Sequence, residues 1–205
     1  MKRLNILWIG LISVLMTACY DDYEKDYDKS SVYFASQKPL RTLVADTDMS
    51  IKVGVAIGGK REVHTDDWAT FEIDPSLLDG TGLTLMPENY YQLANPNKMT
   101  ISNPNLAIAD VKVTFSDAFY EDNDALNKHY AIPFRLVDHN QDEISTDVNG
   151  NLKDYSIVVV KFVSQYHGTY FVKGKVTNLS TQQVTEYSNK DLSQNMTRDF
   201  VSLGR

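Results

Sequence analysis

The chain has 205 residues, a formal charge of −7 and a single cysteine. An acidic surface repels nucleic acid and anionic lipid headgroups, which excludes both as partners for the bulk of the chain and leaves neutral ligands such as glycans or peptides open. The length suits one full domain of ~100 to 150 residues with a remainder too short for a comfortable second one.

The first element is a leader. Met1-Lys2-Arg3 supplies positive charge, Ile6 to Leu15 is apolar except for Gly10 and Ser13, and the small residues Thr17-Ala18 precede Cys19. This predicts a secretory signal over residues 1–18. The run is shorter than the roughly 20 apolar residues of a spanning helix, and nothing later is comparably apolar, so no transmembrane helix is expected. Leu15-Met16-Thr17-Ala18-Cys19 reads as a lipobox, with Met16 where Leu, Val or Ile is usual. A lone cysteine at the cleavage point is explained as a lipid acceptor that anchors the protein to membrane. The alternative is a secreted protein cut near Ala18 with a free thiol. Losing Lys2 and Arg3 with the leader takes the net charge to −9. Residues 19–30 are highly charged, lack aliphatic residues and have no structural period, which predicts a solvated acidic tether.

Strand patterns dominate the rest of the chain. They cover Ser31–Ala35, Met49–Ile57, Trp68–Ile73, Lys98–Ile101, Asp110–Phe115, Tyr130–Val137 and Asp154–Val163. Alternation is cleanest at Ile51, Val53, Val55, Ile57 and at Val111, Val113, Phe115, so each strand buries one face. Val158-Val159-Val160 is apolar on both faces and predicts a central strand, while Pro133 predicts a bulge or a missing donor. Helical signals are brief, at 74–79, where a cap residue precedes proline, and within 117–127. Several short alternating strands predict an all-β, immunoglobulin-like β-sandwich over residues 31–165. After Tyr166-His167-Gly168 the pattern restarts with Thr169–Thr177 and Gln183–Tyr187, so residues 166–205 read as the incomplete start of a second β domain.

Taken in order, Val32-Tyr33-Phe34-Ala35, Pro39-Leu40-Arg41-Thr42, Ile57-Gly58-Gly59, Phe71 to Leu78, Tyr130 to Leu136 and Ile157 to Phe162 resemble the immunoglobulin-like N-terminal domain, DUF1735, of a Bacteroidetes surface-lipoprotein family. The resemblance spans Cys19 to about Val163. It implies a lipid-anchored protein of the outer membrane encoded beside glycan-importing systems, whose proteins are then possible partners. Some relatives carry a further domain, among them chitinase-like barrels, lectin-like sandwiches or another β domain. The resemblance supplies no catalytic residues. The acidic residues beginning two positions after Cys19 are similar to the signal that sends such lipoproteins to the cell exterior; a merely flexible spacer, facing the periplasm, is the alternative.

Catalytic chemistry is thin. There is no Asp-x-x-Asp-x-Asp-x-Glu run for a chitinase-like barrel and no Gly-x-Ser-x-Gly elbow, and His64, His129, His139 and His167 lack zinc spacing. A non-catalytic protein without cofactor is expected. Asp138, Asn140 and Asp142 alternate like the first half of a calcium loop, but Glu143 replaces the turn glycine and Asn149 the closing glutamate, so a polar strand connection is the stronger expectation. Sugar rings stack on exposed aromatic rings, which makes Trp68, Tyr90, Tyr91, Phe119 and Tyr120 the candidates for a glycan site. Trp68 is foremost, because it follows the polar stretch His64-Thr65-Asp66-Asp67; a tryptophan opening a sandwich strand is also a common core residue. Tyr90 and Tyr91 are neighbours on extended chain, so at most one is expected to be free. Two functions are consistent with these residues. The first is a surface module that binds or presents glycan for an uptake system; the other is a structural or adhesin-like spacer for another domain or partner.

Overall fold

Alternation of apolar and polar residues becomes strand after strand in the computed structural model, which describes residues 28–204. The predicted leader, Cys19 and most of the tether lie outside the described residues. No helix among the described residues is long and apolar enough to cross a membrane.

Over the described residues the protein is mostly β, with one large curled mixed sheet, two small two-stranded sheets and little helix. The strands are β1 (Ser31–Tyr33), β2 (Leu40–Val44), β3 (Ser50–Gly58), β4 (Trp68–Ile73), β5 (Thr84–Leu85), β6 (Tyr91–Leu93), β7 (Lys98–Ile101), β8 (Ile108–Phe115), β9 (Tyr130–His139), β10 (Glu143–Ile144) and β11 (Tyr155–Val163). Their order is β10-β1-β3-β8-β7-β4-β9-β11-β2, with β5 on β9 and β6 on β8. The first stretch of chain divides between the two ends of this order. β1 runs antiparallel to β3, whereas β2 runs parallel to β11.

The inner face is set by the period of two. Val53 and Val55 of β3 lie opposite Val111 and Ala109 of β8, and Phe71, Met99, Phe134 and Phe162 belong to the same core. Phe119 of the short helix α1 (Asp117–Glu121) sits among Phe115, Tyr120, Tyr130 and Phe162 at centroid distances of 5.2 to 6.3 Å. These tilted and edge-on pairings are the favoured aromatic geometries.

β11, expected to be central, lies next to the edge, between β9 and the edge strand β2, and its two apolar faces are both covered. Val158, Val160 and Phe162 point into the main core, while Ile157 joins Leu78 and Ala131 in a smaller cluster on the opposite side. A 3-10 helix, Pro75–Leu78, covers that side. Asp74 caps it by accepting from the Ser76 backbone N–H at 3.0 Å, and the Arg135 Nε donates to the other oxygen of Asp74 at 2.6 Å. Pro133 lies where β9 changes neighbours from β5 to β4, so its missing N–H costs no ladder bond. The register irregularity falls elsewhere, between Thr70 and Phe71 of β4, where β9 carries the extra residue Val137.

Beyond β11 the chain forms a ribbon. β12 (Gly168–Phe171) pairs with β15 (Thr197–Phe200), and β13 (Gly174–Thr177) pairs with β14 (Val184–Tyr187). A 3-10 turn, Leu192–Gln194, interrupts the return path.

Candidate functional site

Two connections meet at one end of the large sheet: residues 59–67, between β3 and β4, and residues 140–154, between β9 and β11. They are held together by buried polar bonds. Asp67 is only 4% exposed, and its carboxylate accepts from the Lys60 ammonium at 2.6 Å, the His64 backbone N–H at 2.8 Å and the Gln141 amide at 2.9 Å. Burial pushes the Asp67 carboxyl up, but these donors outweigh it and hold it below the ordinary carboxylate range. Asn140 adds a second fastening. Its oxygen accepts from the Trp68 backbone N–H at 2.9 Å and its nitrogen donates to the Asp66 carbonyl at 3.0 Å.

This fastening positions Trp68. Ala69 and Phe71 point into the core, so Trp68 and Thr70 face outward. Trp68 is half-buried, pairs with Thr100 across the sheet, and carries the Lys98 ammonium 5.0 Å from its ring centroid. The outward patch therefore combines an indole, an ammonium and the side of the sheet that bears two threonines. Such a patch can offer a stacking face together with donors and acceptors for hydroxyl groups.

The other aromatic candidates divide. Tyr120 is 2% exposed and Phe119 fully buried, so neither offers a face to a ligand; α1 turns both into the core. Tyr90 closes a 3-10 turn, Glu88–Tyr90, where the sequence predicts extended chain, and Tyr91 opens β6; both are partly buried and pack against the main core. Tyr90 is half-buried against Phe119 and Tyr130, and its hydroxyl donates to Asp122 at 3.1 Å. Tyr130 donates to the same carboxylate oxygen at 2.6 Å, and that bond leads the causes that hold Asp122 below its usual range. Tyr91 is also half-buried and lines an apolar groove with Ile73, Leu85, Leu93 and Pro96.

The calcium-like alternation is built into the fold differently. Asp138 accepts from the backbone N–H of His139, Asn140 holds Trp68, and Asp142 accepts from the backbone N–H and hydroxyl of Ser30, both at 2.7 Å. The three side chains are spent on separate internal bonds, and the segment acts as a polar clamp between β9 and β10. Among the described residues no group of three or more His, Cys, Asp or Glu side chains is placed to hold a metal ion.

One aromatic at this end was missed by sequence reasoning. Tyr33 alternates with buried Val32 and Phe34, faces outward beside Gly58, and has the Lys153 ammonium 4.4 Å from its ring centroid. It lines a cleft of about 690 Å³ with residues of the 143–146 segment. The signal that could have found it is the strict alternation in Val32-Tyr33-Phe34, opposite a Gly-Gly pair.

The model of an N-terminal-domain family of the DUF1735 type matches residues 27–143. No curated protein is similar to the chain in sequence. Among solved structures, a structural-genomics protein of unknown function from Bacteroides ovatus superimposes with a TM-score of 0.70 at 22% identity, over 88% of this chain and 67% of that one. Two more distant similarities are glycan-related. Bacteroides thetaiotamicron EndoBT-3987, solved with Man5GlcNAc product, has a TM-score of 0.44 at 20% identity, over 67% of this chain and 32% of that one. A putative carbohydrate binding protein from Bacteroides ovatus has a TM-score of 0.41 at 14% identity, over 73% and 43% of the two chains. The chain thus spans about two thirds of the first structure and less than half of the other two.

Proposed function

Because this chain belongs to the DUF1735-type N-terminal-domain family, we propose that it is a non-catalytic surface module, lipid-anchored to the outer membrane through Cys19 and facing the cell exterior, that binds or presents glycan to an uptake system. The strand order supports the finer fold reading as well. Divided at the β7–β4 pair, the strand order gives β1, β3, β8 and β7 on one side and β4, β9, β11 and β2 on the other, a division that suits an immunoglobulin-like sandwich.

The observation that carries the glycan reading is the outward setting of Trp68 on a stapled loop end. The Asn140 bond fixes the Trp68 backbone, and the partly buried indole, packed beside Lys98, has less rotamer freedom left to lose when a sugar stacks on it. Lys98 over the ring is no obstacle, since an exposed cation–π contact is worth only about 0.5–1 kcal/mol, against the ~4 kcal/mol of millimolar binding.

The experiment is calorimetry on the wild type and Trp68→Ala with glycans selected on an array. Binding in the range of ~0.1 to 1 mM is expected for one stacking ring. The variant should lose it with little change in thermal midpoint. A wild type that binds no glycan, or a variant that binds as well, rejects the reading.

The spacer alternative has one observation in its favour. The ribbon of residues 168–200 exposes Phe171, Val176, Val184 and Phe200 to 49% or more, a surface that suits contact with another domain or partner.

A further inference from the structure

We propose that the cleft over Tyr33 is a second saccharide site, on a different part of the sheet from Trp68, that takes a neutral glycan. It extends the glycan reading and does not need Trp68.

The cleft is built by close approach of backbone. β1 runs between β10 and β3, and Val32, wholly buried, turns Ser31 and Tyr33 to the outer face. Beside the ring lie Gly58 and Gly59. Gly59 has φ of +77°, and a side chain there would collide with the Lys29 carbonyl; a Cβ on Gly58 would stand 3.3 Å from the Ser31 hydroxyl and 3.7 Å from the Tyr33 ring. Glycine is required at Gly59, and a side chain on Gly58 would narrow the cleft beside the ring. The resulting space of about 690 Å³ falls in the range of small-ligand sites.

The lining decides the ligand class. Two carboxylates, Asp28 and Glu143, face two ammonium groups, Lys29 and Lys153, so the charges cancel and neither a polyanion nor a polycation is favoured. Among the described lining residues, hydroxyl side chains and one aromatic ring complete the walls and none is Leu, Ile, Val or Met, which argues against a lipid tail. A surface of mixed donors and acceptors around one ring matches a polyhydroxylated ligand. Sugar hydroxyls donate to the carboxylates and accept from the ammonium groups, while a C–H face lies on Tyr33. The groups are available for this. Lys29 and Glu143 form an exposed pair at 3.4 Å, and such pairs are weak. Lys153 rests on the Tyr33 ring at 4.4 Å, where it can swing to a hydroxyl without leaving the cleft.

The test is a two-dimensional NMR titration of the full mature chain with maltotriose, cellotriose, mannotriose and chitotriose, each to about 10 mM, a concentration suited to millimolar affinity. At least one trisaccharide should shift amides at 31–33, 58–59, 143–146 and 153. Tyr33→Ala should weaken that binding at least ~10-fold and Glu143→Gln several-fold, while Trp68→Ala leaves it unchanged. Glu143→Gln keeps the test open should Tyr33→Ala fold poorly, since the Glu143 side chain is surface-exposed and its ion pair with Lys29 is a weak one. Shifts confined to residues 64–70 and 98–100, removed by Trp68→Ala, would overturn this second site and leave the Trp68 reading standing. No shift with any trisaccharide would overturn it as well.

Discussion

Residues 31–163 and residues 168–204 are both β-structure rich in Val, Phe, Tyr and Thr, yet Phe162 is the last buried residue among those described. In the first region the large sheet curls around one shared core, and side chains such as Phe34, Phe134 and Val55 are at most 2% exposed. In the second, pairs of strands meet only each other. Tyr170 and Phe200 make an edge-on contact at 5.3 Å but remain 43% and 55% exposed. Local pairing and β-propensity are therefore common to both regions. The difference is a shared core, without which a two-stranded ribbon buries too little surface to be stable by itself.

Core truncation should show the contrast most strongly. Phe134→Ala is expected to lower unfolding free energy by about 3–5 kcal/mol, because it removes a fully buried ring and leaves a cavity. Phe171→Ala, half-exposed on the ribbon, should cost less than about 1 kcal/mol. Denaturant melts of the two variants check this directly. Equal losses would show that the ribbon folds as part of the same packed core.

The next effect belongs to the loop clamp. Asp67→Ala strands the Lys60 ammonium, the His64 N–H and the Gln141 amide, and losing bonds of this charged kind should cost roughly 2–4 kcal/mol. The same carboxylate gives a pH dependence. Asp67 and Asp122 titrate in the folded protein below the roughly 3.9 of an unfolded aspartate, so their contribution is complete above that pH and fades as pH falls through their lowered values. Asp67→Asn should flatten the loss of stability in acid. An unchanged slope would mean that Asp67 is not held below its ordinary value.

Proteolysis sharpens the boundary between the two regions. Cleavage should begin within residues 168–200, where backbone opens at low cost, and leave a resistant product ending near Val163. The ribbon is nevertheless tied at its base. The Ser202 hydroxyl accepts from the Ser164 N–H at 2.7 Å, and the Ser202 N–H donates to His167 at 3.1 Å. Trp68→Ala is expected to cost no more than the ribbon variant, less than about 1 kcal/mol, because its ring faces outward from the sheet.

Strands with two-residue alternation are legible in the sequence, as Val53-Val55-Ile57 and Val111-Val113-Phe115 show. β2 gives no such pattern, because Leu40, Arg41 and Thr42 are all exposed on a sheet edge and only Leu43 is buried. β5 and β10 have two residues each, too few to display a period. Of the candidate site, the polar run before Trp68 is visible, but its partners Asn140 and Gln141 are more than 70 positions away. No local pattern reveals such a staple. Tyr120 fails as a candidate because the stretch 117–127 gives only one short helical turn at its start, and that turn rotates both Phe119 and Tyr120 inward.

The central claim is that ligand binding belongs to the stapled loop end of the packed region and not to the ribbon. Hydrogen exchange of the full chain, with and without the best glycan from the array, tests it most directly. Added protection is expected at residues 64–70 and 98–100, around Trp68 and Lys98, with exchange across 168–204 unchanged. Protection appearing on the ribbon, or nowhere in the chain, would contradict the claim.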